Sequence, residues 1–177
     1  MRISKIISTI SFVALLSSCA VVNYSYDGKA FKDAYSSIKS EELKKNLYVI
    51  AADDMEGRDT GSPGQKRAAE YIINYYKNLS ISHPTEMNSY LQTVPADYMN
   101  KKSRGETFND SANILAFIKG SEKPNEVIVI SAHYDHVGMK NGVVYNGADD
   151  DGSGTVAVME IAEAFKQAVK EGHGPKR

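Results

Sequence analysis

Hydrophobic positions recur along the chain with two periods, and the helical period predicts three helices. The first begins with Ser40 as its N-cap, has acids in its first turn and carries a short apolar stripe to Ile50. The second has Ser62 as N-cap and Pro63 at its first position, and runs for roughly fifteen residues. The third follows Thr155. The predicted buried faces are Ala68, Ala69, Ile72, Ile73, Tyr76 and Leu79 in the second helix, and Val158, Ile161, Ala162, Phe165 and Val169 in the third.

The other positions of these helices are assigned to the surface or to the rim of the core. Three tyrosines of the second helix could form a binding surface, but their helical spacing favours core and rim. These are Tyr71, Tyr75 and Tyr76. Four charged side chains of the third helix are predicted to face outward, while its apolar stripe packs on a sheet. They are Glu160, Glu163, Lys166 and Lys170.

The strand period predicts three strands. Residues 90–94 alternate and stop at Pro95, and residues 112–118 form a second apolar segment. The run 127–131 is continuously apolar and β-branched, which is typical of a strand covered on both faces, so we expect it to be central. A buried strand followed by a loop and a helix is the place where open α/β sheets bind ligands.

Composition bounds the class of protein. The chain has 177 residues, 42% hydrophobic and 24% charged, which suits one globular domain. The formal net charge of -1 and the lack of a long basic run give no case for nucleic acid as a partner. A single cysteine excludes an internal disulfide.

The first residues are typical of an export signal. Arg2 and Lys5 give a positive start, a short apolar stretch follows, and small residues precede Cys19. This pattern resembles the lipobox of bacterial lipoproteins, so we expect residues 1–18 to be a signal peptide and Cys19 to carry the lipid. The protein would then be exported across the inner membrane and anchored in the cell envelope, in the outer membrane. The alternative is a plain cleaved signal with an incidental cysteine. Residues 19–40 are predicted to be a tether, and residues 41–177 the folded part.

The densest cluster of polar side chains follows the predicted central strand. It consists of 133–136 (His-Tyr-Asp-His) and 146–154 (Asn-Gly-Ala-Asp-Asp-Asp-Gly-Ser-Gly). A calcium hand, a nucleophile elbow and a phosphate loop each fail here, because the required residues are absent at the required spacing. Imidazole and carboxylate side chains without thiolate indicate a divalent metal and are ligands that zinc accepts.

Three residues of this cluster have suitable positions for such a site. His133 can give one ring nitrogen to a metal, and Asp135 can accept the other ring proton and fix the orientation of the imidazole. Asp150 can give one oxygen to each of two ions about 3.5 to 4 Å apart. The alternatives are a structural histidine and a solvated group of aspartates at a helix start. His136 is assigned to the loop or to the wall of the site.

These residues carry a resemblance to a known family. Residues 131–138 and 147–154 resemble the two leading motifs of the co-catalytic dizinc aminopeptidases, family 28 of metallopeptidase clan MH. Residues 55–64 and the helix after them resemble the leading segment of that family, although the acids in 51–64 are otherwise typical of a solvated turn. The resemblance implies an α/β fold, a three-layer sandwich with a mixed, largely parallel central sheet.

The resemblance also implies an activity and a role for each residue. His133 would bind one zinc ion, Asp150 would bridge two, and Asp135 would support catalysis by orienting His133. The enzyme would release N-terminal residues from peptide substrates by zinc-assisted hydrolysis. The family often has Asn where this chain has Asp151, and the role of Asp151 stays open, as does that of Asp149.

The resemblance extends over part of that catalytic domain. The family has a Glu-Glu pair, an Asp ligand and a His ligand further along, and no position here matches them. We therefore expect this chain to be the N-terminal part of a metallo-aminopeptidase and to be inactive alone. Two alternatives stay open: a glutaminyl-cyclase-like enzyme on the same scaffold, and a non-catalytic surface lipoprotein that binds peptides or glycans.

Overall fold

The structure is a computed structural model that describes residues 28–103, 105 and 107–177. The predicted signal peptide and residues 19–27 of the predicted tether, including Cys19, lie outside the described residues, whereas Lys29–Ser37 of that tether form a helix. None of the described helices is both long and apolar enough to cross a lipid bilayer.

Five helices and four short strands form the described part of the chain. The helices are α1 (Lys29–Ser37), α2 (Ser40–Ile50), α3 (Pro63–Asn78), α4 (Ala96–Asn100) and α5 (Ser153–Lys170). The strands are β1 (Leu91–Val94), β2 (Ser111–Ile114), β3 (Gly138–Lys140) and β4 (Val143–Tyr145). A 3-10 segment (Asp53–Arg58) joins α2 to α3, and an irregular helical turn (Ala148–Gly152) precedes α5.

Local sequence signals set the start of α3. The Ser62 hydroxyl accepts a hydrogen bond from the Gln65 backbone N–H at 3.2 Å, and Pro63 occupies the first turn. The predicted helix of about fifteen residues is thereby confirmed. At α2 the prediction was one residue off, because Lys39 is the N-cap and Ser40 is already helical, without a side-chain cap.

The core lies where α2, α3 and α5 pack together. The apolar face of α3 is buried as its spacing predicts, and Tyr71 and Tyr75 lie at the rim. The buried core residues are Ile50, Met55, Ala68, Ile72, Tyr76, Ile81, Tyr90, Val156 and Met159.

The strands form two separate antiparallel pairs. β1 pairs with β2, with Leu91 opposite Ile114, and β3 pairs with β4 across the two-residue turn Asn141-Gly142. Both turn residues have positive φ, of 52° and 78°, as tight hairpin turns require. The described residues thus combine helices with small sheets, in keeping with the α/β class, and the strands among them include no parallel sheet.

The segment 127–131 differs from its prediction as a central strand. It pairs with no other strand in the described part of the chain, and its side chains are open to solvent. Val127 is 70% exposed and Val129 78%. The apolar run indicates a strand that requires cover on both faces, but among the described residues no neighbouring strand supplies that cover.

The predicted stripe of α5 is not the face that packs into the core. The buried face contains Val156 and Met159, and it meets α2, α1 and α3. Glu160, predicted to face outward, is 3% exposed on that face. Four residues of the predicted stripe line a cavity of about 900 Å³ together with 127–130, namely Val158, Ile161, Ala162 and Phe165. Phe165 is 41% exposed. Both faces of α5 carry apolar residues, so periodicity did not determine which one packs.

Candidate metal site

Two loops bring the predicted site residues together. One contains His133 and Asp135, and the other is the turn before α5, which contains Asp150. The His133 Nε2 atom lies 3.1 Å from Asp150 Oδ1. On the opposite side of the ring, His133 Nδ1 lies 3.0 Å from the Asp135 backbone carbonyl oxygen and 3.4 Å from its carboxylate Oδ1. The imidazole is therefore placed between two aspartates.

The contacts of the two ring nitrogens indicate how His133 is protonated. Nδ1 faces the oxygen atoms of Asp135 and Nε2 faces the Asp150 carboxylate, so the ring donates on both sides only as imidazolium. In a neutral ring that donates from Nδ1, the lone pair on Nε2 would face the Asp150 carboxylate, an arrangement that a cation between them makes favourable. The pKa of His133 is raised, first by the hydrogen bond to the Asp135 carbonyl and then by the neighbouring carboxylates, against partial burial.

His136 lies beside the pair but at a greater distance. Its Nδ1 is 3.9 Å from Asp150 Oδ2, beyond hydrogen-bond range. The ring packs against Gly147, where an added Cβ would lie 2.4 Å from His136 Cγ. The side chain is 15% exposed, so in this structure His136 forms part of the wall of the site.

Asp151 connects the two loops. Its Oδ2 accepts a hydrogen bond from the His133 backbone N–H at 3.2 Å, and its Oδ1 accepts one from Gly154 N–H at 3.1 Å. The Ser153 hydroxyl does not cap α5, because it donates to the Asp149 carbonyl oxygen. The N-cap position is Gly152, which has no side chain, so the Asp151 carboxylate accepts from the first turn of the helix instead. The peptide bond between Asp150 and Asp151 is cis.

Sequence reasoning missed two residues of the 3-10 segment and the turn after it. Arg58 is fully buried, and it donates hydrogen bonds to carbonyl oxygens of both site loops. The Thr60 hydroxyl donates to the Asp135 carboxylate. The acids around them made this segment typical of a solvated turn. The available signal was the position of Arg58 between Gly57 and Gly61, in the segment that resembles a peptidase family.

The donor chemistry fits zinc, but the number of donors is small. An imidazole nitrogen and a carboxylate oxygen face each other at 3.1 Å, and both are common zinc ligands. Within the described residues, no group of three or more His, Cys, Asp or Glu side chains is clustered closely enough to hold a metal ion. Catalytic zinc sites use three protein ligands, so these two residues alone would not complete such a site.

Comparison with known proteins shows which proteins this chain resembles. Residues 113–177 match the family model of peptidase family M28. This region includes His133, Asp135, Asp150 and all of α5. No solved structure matches the chain significantly.

Known relatives agree with this match. Leucine aminopeptidase 1 of Paracoccidioides brasiliensis (strain Pb03) is 40% identical over 74 residues, which are 38% of this chain and 19% of that protein. Leucine aminopeptidase 1 of Chaetomium globosum is 29% identical over 135 residues, 72% of this chain and 31% of that protein. A probable zinc metalloprotease of Pyrenophora teres f. teres is 36% identical over 95 residues, covering 51% and 17%.

These matches support the resemblance to the M28 peptidases. The chain spans between 17% and 31% of the length of these relatives. The relatives are fungal, so they give no support to a bacterial lipoprotein.

Proposed function

We propose that the chain forms the front part of the catalytic domain of a zinc-dependent aminopeptidase, which removes N-terminal residues from peptides. The observation that carries this proposal is the orientation of His133, with Nδ1 held by Asp135 and Nε2 facing the Asp150 carboxylate at 3.1 Å. The similarity of residues 113–177 to peptidase family M28 supports it.

In this proposal each site residue has a separate task. His133 and Asp150 would hold the first zinc ion, and the other oxygen of Asp150 is available for a second ion. Asp135 would orient His133 by accepting its Nδ1 proton. Bound zinc would lower the pKa of a coordinated water and polarise the peptide carbonyl.

The proposal assigns the other ligands and the general base to parts of the whole protein that the described residues do not include. His133 and Asp150 are two donors, and the relatives are several times longer than the matched region. In the whole protein, we further propose a three-layer sandwich in which 127–131 is a central strand of a largely parallel sheet. The apolar side chains that line the 900 Å³ cavity support this, since they include those of that segment and of α5.

The same scaffold could also serve glutaminyl cyclisation or simple peptide binding. The similar proteins are named as leucine aminopeptidases and as a probable zinc metalloprotease, and these names favour hydrolysis over cyclisation or simple binding. For the location, we propose export and lipid attachment at Cys19. This rests on the sequence of the first nineteen residues, and acyl chains would hold the protein at a membrane by about 0.8 kcal/mol per buried methylene.

Zinc titration of the full chain tests the proposed site. The chain has four histidines, at 83, 133, 136 and 173, whose imidazole NMR signals can be followed separately. We expect a saturable response at His133 that is lost in His133→Ala and Asp150→Ala. His83→Ala and His173→Ala are the matched controls and should leave the response intact. If the imidazole signal of His133 does not respond to zinc, or responds no more than the signals of His83 and His173, the zinc site is refuted.

A further inference from the structure

Arg58 has no solvent exposure, and its guanidinium makes four hydrogen bonds, all to backbone carbonyl oxygens. We propose that Arg58 is a positioning residue that sets the geometry between the two loops of the zinc site. This inference rests on the proposed function, because it assigns Arg58 a role in that same site. It goes further in naming the side chain that determines whether His133 and Asp150 meet.

Three acceptors of Arg58 lie in the two loops that carry the proposed ligands. Arg58 Nε donates to the Tyr134 carbonyl oxygen at 2.7 Å, between His133 and Asp135. Nη1 donates to the Asn146 carbonyl oxygen at 2.7 Å, and Nη2 donates to Gly147 at 2.8 Å. One planar group therefore holds the loop of His133 and the loop that leads to Asp150.

One further contact fixes the guanidinium to the body of the fold, and another fixes the Arg58 backbone to the loop of His133. Nη1 also donates to the Ile50 carbonyl oxygen at 2.6 Å, at the end of α2. In the reverse direction, the Arg58 carbonyl oxygen accepts from the His136 backbone N–H at 3.0 Å. Arg58 therefore fixes the position of both loops relative to α2, a helix that packs in the core.

The chemistry of this position requires arginine. A guanidinium presents five N–H groups in a fixed plane, and the four contacts to three separate segments use most of them. A lysine ammonium has three N–H groups on one atom and cannot span these carbonyl oxygens. Burial lowers the pKa of Arg58, and the negative charge of Asp135 acts against that effect.

The backbone around Arg58 is shaped for this contact. Arg58 has a positive φ of 52°, a conformation that is unfavourable for a residue with a side chain and that persists where surrounding contacts determine it. Gly57 has φ 66°, and an added Cβ there would lie 2.3 Å from the Gly138 carbonyl oxygen of β3. Glycine is thus required for the segment to approach the site closely.

Neighbouring residues of the same segment support the same two loops. The Asn146 side chain donates to Asp53 Oδ1 at 2.7 Å and to the Ala51 carbonyl oxygen at 2.9 Å. Thr60 donates to the Asp135 carboxylate. Arg58 differs from these residues in that its one side chain contacts both loops.

Zinc titration of Arg58 variants of the full chain tests the inference. Arg58→Lys keeps the positive charge but loses the planar set of N–H donors, and Arg58→Met removes both the charge and the donors. The matched control is Arg67→Lys, since Arg67 also bonds to this segment, through Asp54 O and Glu56, but is 41% exposed. In folded Arg58→Lys we expect zinc to bind His133 about tenfold more weakly or worse. The His133 and His136 imidazole signals should also shift in the absence of zinc, whereas Arg67→Lys should change neither.

The outcomes separate this inference from the proposed function. If His133 does not respond to zinc in the unsubstituted chain, the zinc site and the role of Arg58 are both refuted. If folded Arg58→Lys binds zinc as the unsubstituted chain does, the positioning role alone is refuted. Should neither variant fold, the Arg58 Nε–H signal of the unsubstituted chain decides. It should shift during the zinc titration and saturate with His133, and an Nε–H signal that stays fixed would contradict the proposal.

Discussion

The carboxylate of Asp151 accepts the backbone N–H of His133 at 3.2 Å, and with its other oxygen it caps α5 at Gly154. A single side chain therefore joins the loop that presents the proposed imidazole ligand to the first turn of the exit helix. The Thr155 hydroxyl, which donates to the His133 carbonyl oxygen at 2.9 Å, strengthens the same connection. This gives Asp151 a role that its position beside Asp150 did not reveal.

Replacing Asp151 by alanine should weaken both the fold and the site. Loss of the helix cap should lower the free energy of unfolding by about 1 kcal/mol, and zinc should bind His133 more weakly because its backbone is less fixed. Asp151→Asn keeps one acceptor oxygen and should have a smaller effect. Urea unfolding and zinc titration measure the two effects. Asp149→Ala is the control, since the side chain of Asp149 is exposed, and an Asp151→Ala variant no different from it would contradict the assignment.

Sequence periodicity predicted elements whose signals are local. Helix α3 was predicted because its cap, its proline and its apolar face all lie within the helix or next to it. Helix α5 was predicted as an element, but its packing face was not, because Met159 and Val158 lie on different apolar faces and only tertiary contacts select one. The exposed segment 127–131 shows the same limit, since an apolar run indicates a need for cover without naming the partner.

The site was predicted in part for the same reason. His133, Asp135 and Asp150 have ligand chemistry that is readable from residue type and spacing. Arg58 acts through backbone carbonyl oxygens 76, 88 and 89 residues further along the chain, and a carbonyl group has no sequence signature. Residues that position a site by contact with the backbone therefore become visible only in the structure.

Removing the Thr60 hydroxyl should disturb the site without disturbing the core. The Thr60 hydroxyl donates to the carboxylate of Asp135. The backbone carbonyl oxygen of Asp135 contacts His133 Nδ1 and so holds the ring. In Thr60→Val that carboxylate loses a donor, so zinc affinity at His133 should fall by about tenfold, in the range typical of residues behind a metal ligand. Thr60→Ser keeps the hydroxyl and should restore binding. Equal affinities for the Val and Ser variants would show that the hydrogen bond is irrelevant to the site.

The small number of donors among the described residues predicts that the 177-residue chain has no peptidase activity by itself. His133 and Asp150 are two proposed ligands, fewer than a catalytic zinc ion takes from a protein. With zinc added, release of p-nitroaniline from leucine p-nitroanilide should not exceed the rate with His133→Ala. Zinc-dependent release that disappears in His133→Ala would show that the chain completes its site in another way, for instance with a second copy.

Lipid attachment at Cys19 can be tested in a bacterial host. The small residues before Cys19 follow a short apolar stretch, as in a lipoprotein signal. The unsubstituted chain should partition into the detergent phase of Triton X-114 and incorporate labelled palmitate, and Cys19→Ala should do neither. If the cleaved chain carries no label and stays in the aqueous phase, the alternative of a plain cleaved signal with an incidental cysteine is favoured.

Glu160 should make the stability of the fold depend on pH. It is buried on α5, where its Oε1 accepts hydrogen bonds from Asn46 Nδ2 at 2.8 Å and from the Tyr75 hydroxyl at 3.1 Å. Burial raises the pKa of Glu160, the charges of Glu163 and Glu42 raise it further, and the two hydrogen bonds oppose the rise.

The sign of this effect follows from linkage. Because the pKa in the folded state is above the ordinary value of 4.5, the folded chain binds the proton more tightly than the unfolded chain does. The contribution of Glu160 to stability is therefore fully present below pH 4.5, and it is lost as pH rises through the folded pKa.

Glu160→Gln should remove this dependence. The glutamine oxygen can still accept from Asn46 and Tyr75, while its uncharged amide has no penalty for burial. We expect its free energy of unfolding, measured in urea from pH 4 to pH 8, to fall less with rising pH than that of the unsubstituted chain. Glu70→Gln, which removes an exposed carboxylate from α3, is the matched control. A Glu160→Gln variant that loses more stability at pH 8 than at pH 5, relative to the unsubstituted chain, would show that the buried carboxylate favours folding in its charged form.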